Sequence, residues 1–343
     1  MSDVTQELIL PLFQSMGLDR YLLDPEISEV MISNGLVFVD RAGQLVEIEG
    51  IQINDRKLRA GVEVIGQSIG DLIDDYKKPW LDSRLPDGSR VAATYPPISP
   101  QGVVLTVRKF LRYFTTEELL ERGAFHARAT NEEAKIFDEQ AVIASPEALP
   151  VILAAVKSRK NILFSGGTST GKTTMTNAFV LHIPKHERIV TIEKPVEMKL
   201  QHRNVVRFEA YPKVGDRPEV TVSQLLSLTL RHRPDRIIVG EVKDSEAAYG
   251  LLQVMNTGHD GTISTIHANT AFSALNRLAS LAMPGFGTLD LARQETAAAI
   301  DLVVEVTRAA DGWRGVNCVL AVGEYDDRSR KFETQEVYRR IAA

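Results

Sequence analysis

One short stretch constrains this chain most, the glycine-rich run SGGTSTGKTT at residues 165–174. It fits the pattern G-x-x-x-x-G-K-[ST], with Gly166, Gly171, Lys172 and Thr173 in the required places. The pattern indicates a phosphate-binding loop only where it joins a strand to a helix. We predict a strand in NILFS before it and a helix in TTMTNAFVLHI after it. Backbone N–H groups at such a helix start suit phosphate oxygens, so the stretch predicts a phosphate-binding loop.

Three more short apolar or β-branched runs follow the loop, RIVTIE, RIIVGE and GTISTIH, separated by segments with helical spacing. Strands that alternate with helices predict a mostly parallel sheet covered on both faces. Ser145 and Pro146 are a typical helix start, with serine as N-cap and proline in the first turn. We therefore predict an α/β domain at residues 141–343.

Residues 1–112 predict a smaller α+β domain with antiparallel strands. Short apolar runs surround the turn signals Asn34-Gly35 and Ala42-Gly43, and a helix is predicted in DRKLRAGVEVIGQSIGDLI. A further hairpin is predicted around the turn Pro86-Asp87-Gly88.

Two remaining segments are less informative. Residues 113–140 are polar and charged, with a possible capping box at Thr115-x-x-Glu118, and we interpret them as an interdomain linker. The C-terminal run predicts a helix end, a three-strand meander and a closing strand in FETQEVYRR. Trp313 beside the glycine-rich turn of the meander is predicted to be a surface or packing aromatic and not a ligand contact.

The composition is that of an ordinary globular protein, with 343 residues, 44% hydrophobic and 25% charged. The net charge of −5 gives no overall basic footprint for nucleic acid, so direct nucleic-acid binding is not expected, although a local patch stays open. The single cysteine, Cys318, excludes an intrachain disulfide and a cysteine-based zinc site. No signal-peptide pattern and no apolar run of about 18 residues is present, so we expect a cytoplasmic chain, and docking on a membrane-bound partner stays open.

Polar residues stand where four of the predicted strands end: Lys172 and Thr173, then Glu193, Glu241 and His267. Ligands of open α/β sheets lie at the carboxyl ends of the strands, so these side chains are expected to converge. The predicted nucleotide-binding loop comprises Gly166, Gly167, Thr168, Ser169, Thr170, Gly171, Lys172, Thr173 and Thr174.

Each side chain suits one part of phosphoryl transfer. Lys172 is a point charge for the β and γ phosphates, and the Thr173 hydroxyl together with Glu241, directly or through water, suits Mg²⁺. A carboxylate near the γ-phosphate, Glu193 or Glu241, orients or deprotonates the attacking water, and His267 senses or stabilises the terminal phosphate. Taken singly, a strand-end carboxylate is often only solvated, and His259 in NTGHDG serves the turn as readily as a ligand.

Four motifs together carry a family resemblance. GGTSTGKTT resembles a Walker A loop, ERIVTIEKPVE an acidic box with Glu193 in the catalytic position, RHRPDRIIVGEVKDSEA a Walker B motif, and MNTGHDGTISTIHAN a histidine box. ISEVMISNG and RLPDGSRVAATYPP resemble the N-terminal domain of the same family. The chain thus resembles the secretion ATPases of type IV secretion, conjugation and type II-like pilus machines.

The resemblance implies more than the spacing shows. It implies a RecA-like C-terminal ATPase domain, a PAS-like N-terminal domain, and a ring homo-oligomer of six subunits with ATP and Mg²⁺ between the domains. It also implies that Arg90 and Arg108 contact the phosphates, where without it both would be solvated strand-edge charges. Arg231 and Arg233 either reach a neighbouring subunit or end a charged helix. The implied partners are inner-membrane components of a secretion or pilus machine.

Two departures from the family pattern bear on turnover. Lys194 stands where an acid usually follows the first glutamate, and Lys243 replaces an arginine, which loses bidentate contacts. Glu197 is the candidate to compensate the positive charge of Lys194.

A motor for secretion or conjugation is the leading hypothesis. The alternatives are a tight-adherence pilus ATPase, a nucleotide-gated scaffold with little turnover and a RecA-like nucleic-acid motor.

Overall fold

The computed structural model describes residues 3–41, 44–74, 78–109, 114–125, 148–198, 200–213, 218–309 and 313–340. The Ala42-Gly43 turn, the Ser145-Pro146 helix start and most of the segment 113–140 lie outside the described residues. The chain forms two compact units, Met1–Arg112 and Tyr113–Ala343, and each builds its own sheet.

The N-terminal unit is an antiparallel sheet with helices on one face. Its strands are β1 (Ile27–Ser33), β2 (Leu36–Arg41), β3 (Gln44–Glu47), β4 (Trp80–Arg84), β5 (Arg90–Thr94) and β6 (Val104–Arg108), and its helices are α1 (Asp3–Ser15), α2 (Asp19–Leu23) and α3 (Asp55–Ser68). The strand order is β3-β2-β1-β6-β5-β4, and every neighbouring pair is antiparallel. The predicted hairpin at Pro86-Asp87-Gly88 is confirmed as the β4–β5 connection.

Local chemistry explains where α3 begins and what it covers. The Asn54 side chain accepts the backbone N–H groups of Arg56 and Lys57, which caps the helix start. Leu58, Val62 and Ile65 recur at helical spacing and are buried against the apolar face of the sheet.

The C-terminal unit is an eight-stranded α/β sheet. Its strands are β7 (Ile162–Gly166), β8 (Ile189–Glu193), β9 (Val205–Glu209), β10 (Arg236–Val242), β11 (Ile263–His267), β12 (Leu302–Arg308), β13 (Arg314–Asp326) and β14 (Lys331–Arg339). Its helices are α4 (Thr116–Glu121), α5 (Ala148–Lys157), α6 (Lys172–Val180), α7 (Val222–Thr229), α8 (Ser245–Met255), α9 (Ala271–Phe286) and α10 (Leu289–Ala299), and Leu230–His232 form a 3₁₀ turn.

The strand order is β14-β13-β12-β7-β11-β10-β8-β9. From β12 to β9 the neighbours are parallel, and β13 and β14 add an antiparallel edge. The predicted parallel strands and the closing strand β14 are present, but the run before β14 forms two strands, β12 and β13, and not the predicted three-strand meander. β9 was missed because VVRFE is only half-buried. The predicted capping box at Thr115 is confirmed and starts α4.

Two apolar clusters sandwich the parallel sheet, as continuous Val- and Ile-rich strands require. One cluster packs Phe164 and Ile238 of the sheet against Phe179 of α6, and the other packs Leu163 and Val239 of the sheet against Leu251 of α8. Both faces are therefore used for packing, and the carboxyl edge of the strands is left for polar residues.

Candidate functional site

The glycine-rich loop joins β7 directly to α6, which is the predicted strand–loop–helix arrangement. Gly171 precedes the helix with φ at +96°, a left-handed conformation that side chains rarely adopt. A Cβ on Gly166 would lie 2.2 Å from the Val306 carbonyl oxygen, so this glycine permits close approach of two backbones. The loop shape depends on these two positions.

Lys172 is folded back over the loop. Its Nζ donates to the carbonyl oxygens of Gly166 at 2.9 Å and Gly167 at 2.6 Å, and lies 3.4 Å from His267 Nδ1. Burial lowers the pKa of the Lys172 ammonium, while the nearby Glu241 carboxylate opposes that shift. The ammonium lies at the helix start, where it can exchange carbonyl oxygens for phosphate oxygens.

Glu241 lies between two cationic or polar partners. His267 Nε2 is 2.8 Å from Glu241 Oε1, although the two are not aligned as a hydrogen bond, and Lys243 Nζ is 2.9 Å from Glu241 Oε2. Burial, with the Lys172 charge, lowers the pKa of His267, so the imidazole is neutral near pH 7. Lys172, His267, Glu241 and Lys243 thus form one contiguous chain of contacts.

Glu193 ends β8 and is only 2% exposed. Its Oε1 accepts the backbone N–H groups of Glu197 at 2.8 Å and Met198 at 2.9 Å, which fixes the orientation of the carboxylate. The Lys194 side chain pairs with a different carboxylate: its Nζ lies 3.9 Å from Glu219 Oε1, and both side chains are half-exposed. The ion-pair partner of Lys194 is therefore Glu219, while Glu197, the candidate from sequence, presents its backbone N–H to Glu193.

A cavity of about 460 Å³ opens beside the loop. Its lining residues are Gly166, Gly167, Thr168, Thr170, Asn269, Val306, Thr307, Arg308 and Ala309. Asn269 and Arg308 were not predicted from sequence, although both follow the strand-end rule, since they stand at the ends of β11 and β12.

The other loop residues keep the loop closed or begin the helix. Thr170 Oγ1 donates to the Gly167 carbonyl at 3.1 Å, and Ser169 adopts φ of +58°. Thr173 and Thr174 lie half-buried in the first turn of α6.

The predicted arginines of the N-terminal unit face each other across two strands. Arg90 on β5 is directly opposite Arg108 on β6, and Arg108 Nε donates to Glu29 Oε1 at 2.7 Å. Arg84 on β4 is directly opposite Arg90 and was not predicted, although it is as far before Asp87 as Arg90 is after it.

Four further residues from the sequence analysis have defined places. Arg231 lies in the 3₁₀ turn before β10, and Arg233 ends that turn with φ of +50°. The His259 carbonyl accepts Thr262 Oγ1 at 2.7 Å, which supports its turn role. Trp313 Nε1 donates to Gly123 O at 3.1 Å beneath the Arg340 guanidinium, so the predicted packing role is confirmed.

A parallel α/β sheet with a glycine-rich strand–loop–helix and acidic and imidazole groups at its carboxyl edge defines an α/β fold of the P-loop type. The sequence matches the family described as Type II/IV secretion system protein over residues 18–312, and the chain belongs to that family.

Relatives of this chain share most of its length. It is 32% identical over 320 residues to the conjugal transfer protein TrbB of Rhizobium radiobacter, covering 91% of this chain and 88% of that protein. It is 30% identical over 330 residues to the type IV secretion system protein VirB11 of Bartonella quintana, covering 90% and 91%. The fold is similar to that of the pilus retraction motor PilT, with a TM-score of 0.56, 17% identity, and coverage of 100% of this chain and 84% of that one.

In the residues that the structure describes, no helix has the length and apolar character needed to span a bilayer. Within the same residues no group of three or more His, Cys, Asp or Glu side chains forms a metal cluster.

Proposed function

We propose that this chain is an oligomeric ATPase that couples Mg-ATP hydrolysis to macromolecular transport in a secretion or conjugation machine at the inner membrane. The observation that carries the proposal is the contact chain Lys172–His267–Glu241 behind the glycine-rich loop. The family and the relatives named for conjugal transfer and type IV secretion support the same function. In this proposal the C-terminal unit is a RecA-like motor, the N-terminal unit is PAS-like, and the assembly is a ring, with six subunits expected.

Phosphate binding is assigned to the loop, Gly166 to Thr174. Its backbone N–H groups face the phosphates at the start of α6, and Lys172 leaves the carbonyl oxygens of Gly166 and Gly167 for the β and γ phosphates. Arg308 and Asn269, which line the adjoining cavity, are added to the nucleotide-binding residues. Arg90 and Arg108 of the N-terminal unit are retained as proposed phosphate contacts.

The residues present fit a magnesium ion. The Thr173 hydroxyl and the Glu241 carboxylate are hard oxygen donors, which Mg²⁺ prefers, and few protein ligands are needed because this ion keeps several waters. When bound, the ion would neutralise charge that develops on the β and γ oxygens. Glu241 stays accessible for this role, since its side chain is 22% exposed.

Glu193 is proposed as the residue that orients or deprotonates the attacking water. It is nearly buried, and its two backbone hydrogen bonds hold one oxygen while the carboxylate ends the strand beside β10. A positioned carboxylate can contribute about 10²–10⁴-fold in rate. His267, held neutral, donates or accepts a hydrogen bond at the terminal phosphate.

The test is steady-state Mg-ATP hydrolysis as a function of protein concentration, with oligomer size measured under the same conditions. We expect specific activity to rise as the ring assembles and to fall at least about 100-fold in Glu193→Gln. A wild type that binds ATP tightly but hydrolyses it no faster than Glu193→Gln at any concentration would instead establish the nucleotide-gated scaffold.

A further inference from the structure

At the carboxyl edge of the parallel sheet, β10 carries one residue more than its neighbour β11. Their pairing shifts register between Val239 and Val242, so that three steps along β10 match two steps along β11. Val239 and Val242 both pack in the same apolar cluster, although residues three apart on a regular strand point to opposite faces. The extra residue forms a bulge at Gly240 and Glu241, and such bulges re-aim side chains next to active sites.

Thr265 of β11 donates a hydrogen bond to this bulge. Its Oγ1 lies 2.7 Å from the Gly240 carbonyl oxygen, and its side chain is buried. Two other buried hydroxyls of the parallel strands, Thr191 Oγ1 and Ser264 Oγ, have no hydrogen-bond partner among the residues that the structure describes. A buried carbonyl is costly to leave unpaired, so the bond from Thr265 stabilises the shifted backbone of β10.

Gly240 has the Glu193 side chain on its other side. β10 lies between β11 and β8, and a Cβ on Gly240 would lie 3.2 Å from Glu193 Cγ. That distance is shorter than an ordinary van der Waals contact, so the glycine leaves the space that the Glu193 side chain occupies. The three neighbouring strands β11, β10 and β8 thus carry Thr265, Gly240 and Glu193 side by side. The place of the Gly240 backbone therefore bears on Glu193 beside it and on Glu241 directly after it.

We propose that Thr265 is a positioning residue for phosphoryl transfer, which acts through its hydrogen bond to Gly240. The bond fixes the bulge of β10, and the bulge sets the separation of Glu193 and Glu241. This rests on the proposed function, in which Glu193 orients the attacking water and Glu241 holds Mg²⁺. Misplacing a reacting group by about 1 Å can cost about 10²-fold in rate, so a small movement of this backbone slows the chemical step. The phosphate-binding loop follows a different strand, β7, and its affinity for nucleotide does not depend on this bond.

The experiment compares kcat for Mg-ATP hydrolysis with the dissociation constant of a fluorescent, non-hydrolysable ATP analogue in full-length variants. Thr265→Val keeps the branched shape and removes the hydroxyl, and kcat should fall about tenfold because the buried Gly240 carbonyl loses its donor. The analogue should bind within about twofold of wild type, as expected when only transition-state stabilisation is lost. Thr265→Ser keeps the donor and should retain kcat within about twofold of wild type.

Thr191→Val is the matched control, the same substitution at a buried threonine of β8. Its hydroxyl has no hydrogen-bond partner among the described residues, so its kcat should equal that of wild type. Thr265→Ala removes the same hydroxyl with different packing and should lose at least as much kcat as Thr265→Val. Thermal unfolding of every variant shows that kcat is compared between folded proteins.

Three results would each overturn the positioning role of Thr265. They are a kcat of Thr265→Val equal to that of Thr191→Val, a Thr265→Ser protein no more active than Thr265→Val, and a loss of analogue affinity as large as the loss of kcat. If Glu193→Gln hydrolyses ATP at the wild-type rate, the proposed function itself fails. If Glu193→Gln is inactive and Thr265→Val is unaffected, that function stands and only the positioning role fails.

Discussion

At the scale of single residues, Lys243 is the departure from the family pattern with a visible consequence. Its ammonium lies 2.9 Å from Glu241 Oε2, on a side chain that is 64% exposed. An exposed ion pair of this kind is worth up to about 1 kcal/mol. Lys243 therefore competes weakly with any cation that Glu241 holds.

Lys243→Ala should lower the Mg²⁺ concentration that gives half-maximal ATP hydrolysis by a factor of about two to five. Removing the ammonium frees one carboxylate oxygen of Glu241. The measurement is a Mg²⁺ titration at fixed ATP, with Lys157→Ala, an exposed lysine on α5, as control. A higher Mg²⁺ requirement would show that Lys243 supports the site and does not compete with it.

Lys109 gives the chain a specific pH dependence. It is 8% exposed, and its Nζ donates to the carbonyl oxygens of Leu22, at 2.9 Å, and Asp24. Burial lowers the pKa of Lys109 to about 8, from 10.5 for an unperturbed lysine. Between these values the unfolded chain binds more protons than the folded chain, so this residue makes stability rise with pH.

Between pH 8 and pH 10, we expect the unfolding temperature of wild type to rise relative to that of Lys109→Met. The pH values follow from the lowered pKa of Lys109 and its unperturbed value. The check is thermal unfolding of both proteins across that range. Parallel pH profiles for the two proteins would count against the assignment.

At the scale of elements, the junction of β7 and α6 depends on backbone closeness. The Val306 carbonyl of β12 fills the space beside Gly166, whereas a Cβ on neighbouring Gly167 would meet only Thr170 Cγ2 at 3.7 Å. A side chain would therefore clash with backbone at Gly166 but would fit at Gly167.

Gly166→Ala should reduce ATP affinity at least about tenfold and lower stability by about 1–3 kcal/mol, the usual cost of overpacking. Gly167→Ala is the matched control and should fold and remain within a few tenths of a kcal/mol of wild type in stability. Nucleotide titration and denaturant unfolding of both variants check this. Equal effects of the two substitutions would show that the β12 carbonyl does not restrict the loop.

A buried ion pair joins the other ends of the strands. Arg236 at the start of β10 is fully buried, and its Nε donates to Glu187 Oε2 at 2.5 Å. Glu187→Gln leaves the buried guanidinium without its counter-charge and should cost about 3–5 kcal/mol.

Denaturant unfolding measures that loss. Glu336→Gln, which removes an exposed partner of Arg339, is the control and should cost less than about 1 kcal/mol. A small effect of Glu187→Gln would mean that water or another group satisfies Arg236.

At the scale of the whole molecule, the glycine-rich loop proposed to bind phosphate belongs to the C-terminal of the two compact units. A ligand that binds only the folded state stabilises by about 2.7 kcal/mol at 100 times its dissociation constant. A non-hydrolysable ATP analogue with Mg²⁺ should therefore raise the unfolding temperature of wild type but not of Lys172→Ala. Calorimetry of both proteins checks this, and equal shifts would place nucleotide binding away from the loop.

The sequence pattern predicted those elements whose residues are fixed by one dominant requirement, either complete burial or the backbone geometry of the glycine-rich loop. Continuous Val- and Ile-rich runs predicted the parallel strands, and the spacing at Gly166 to Thr173 predicted the strand–loop–helix. β9 escaped prediction because its residues are half-buried at an edge, where burial imposes no clear pattern. The ion-pair partner of Lys194 was misassigned to Glu197 because the sequence neighbour was closer along the chain than Glu219.

The sequence by itself determined which groups are available: a loop that needs glycine at Gly166 and Gly171, and polar residues at the strand ends, since these follow from local backbone geometry and strand direction. Only the tertiary structure decided which of them touch. Strand order places β11 between β7 and β10, so that His267 lies between Lys172 and Glu241, and antiparallel register aligns Arg84 with Arg90 and Arg108. Those contacts join residues up to 95 positions apart, and packing, not local propensity, brings them together.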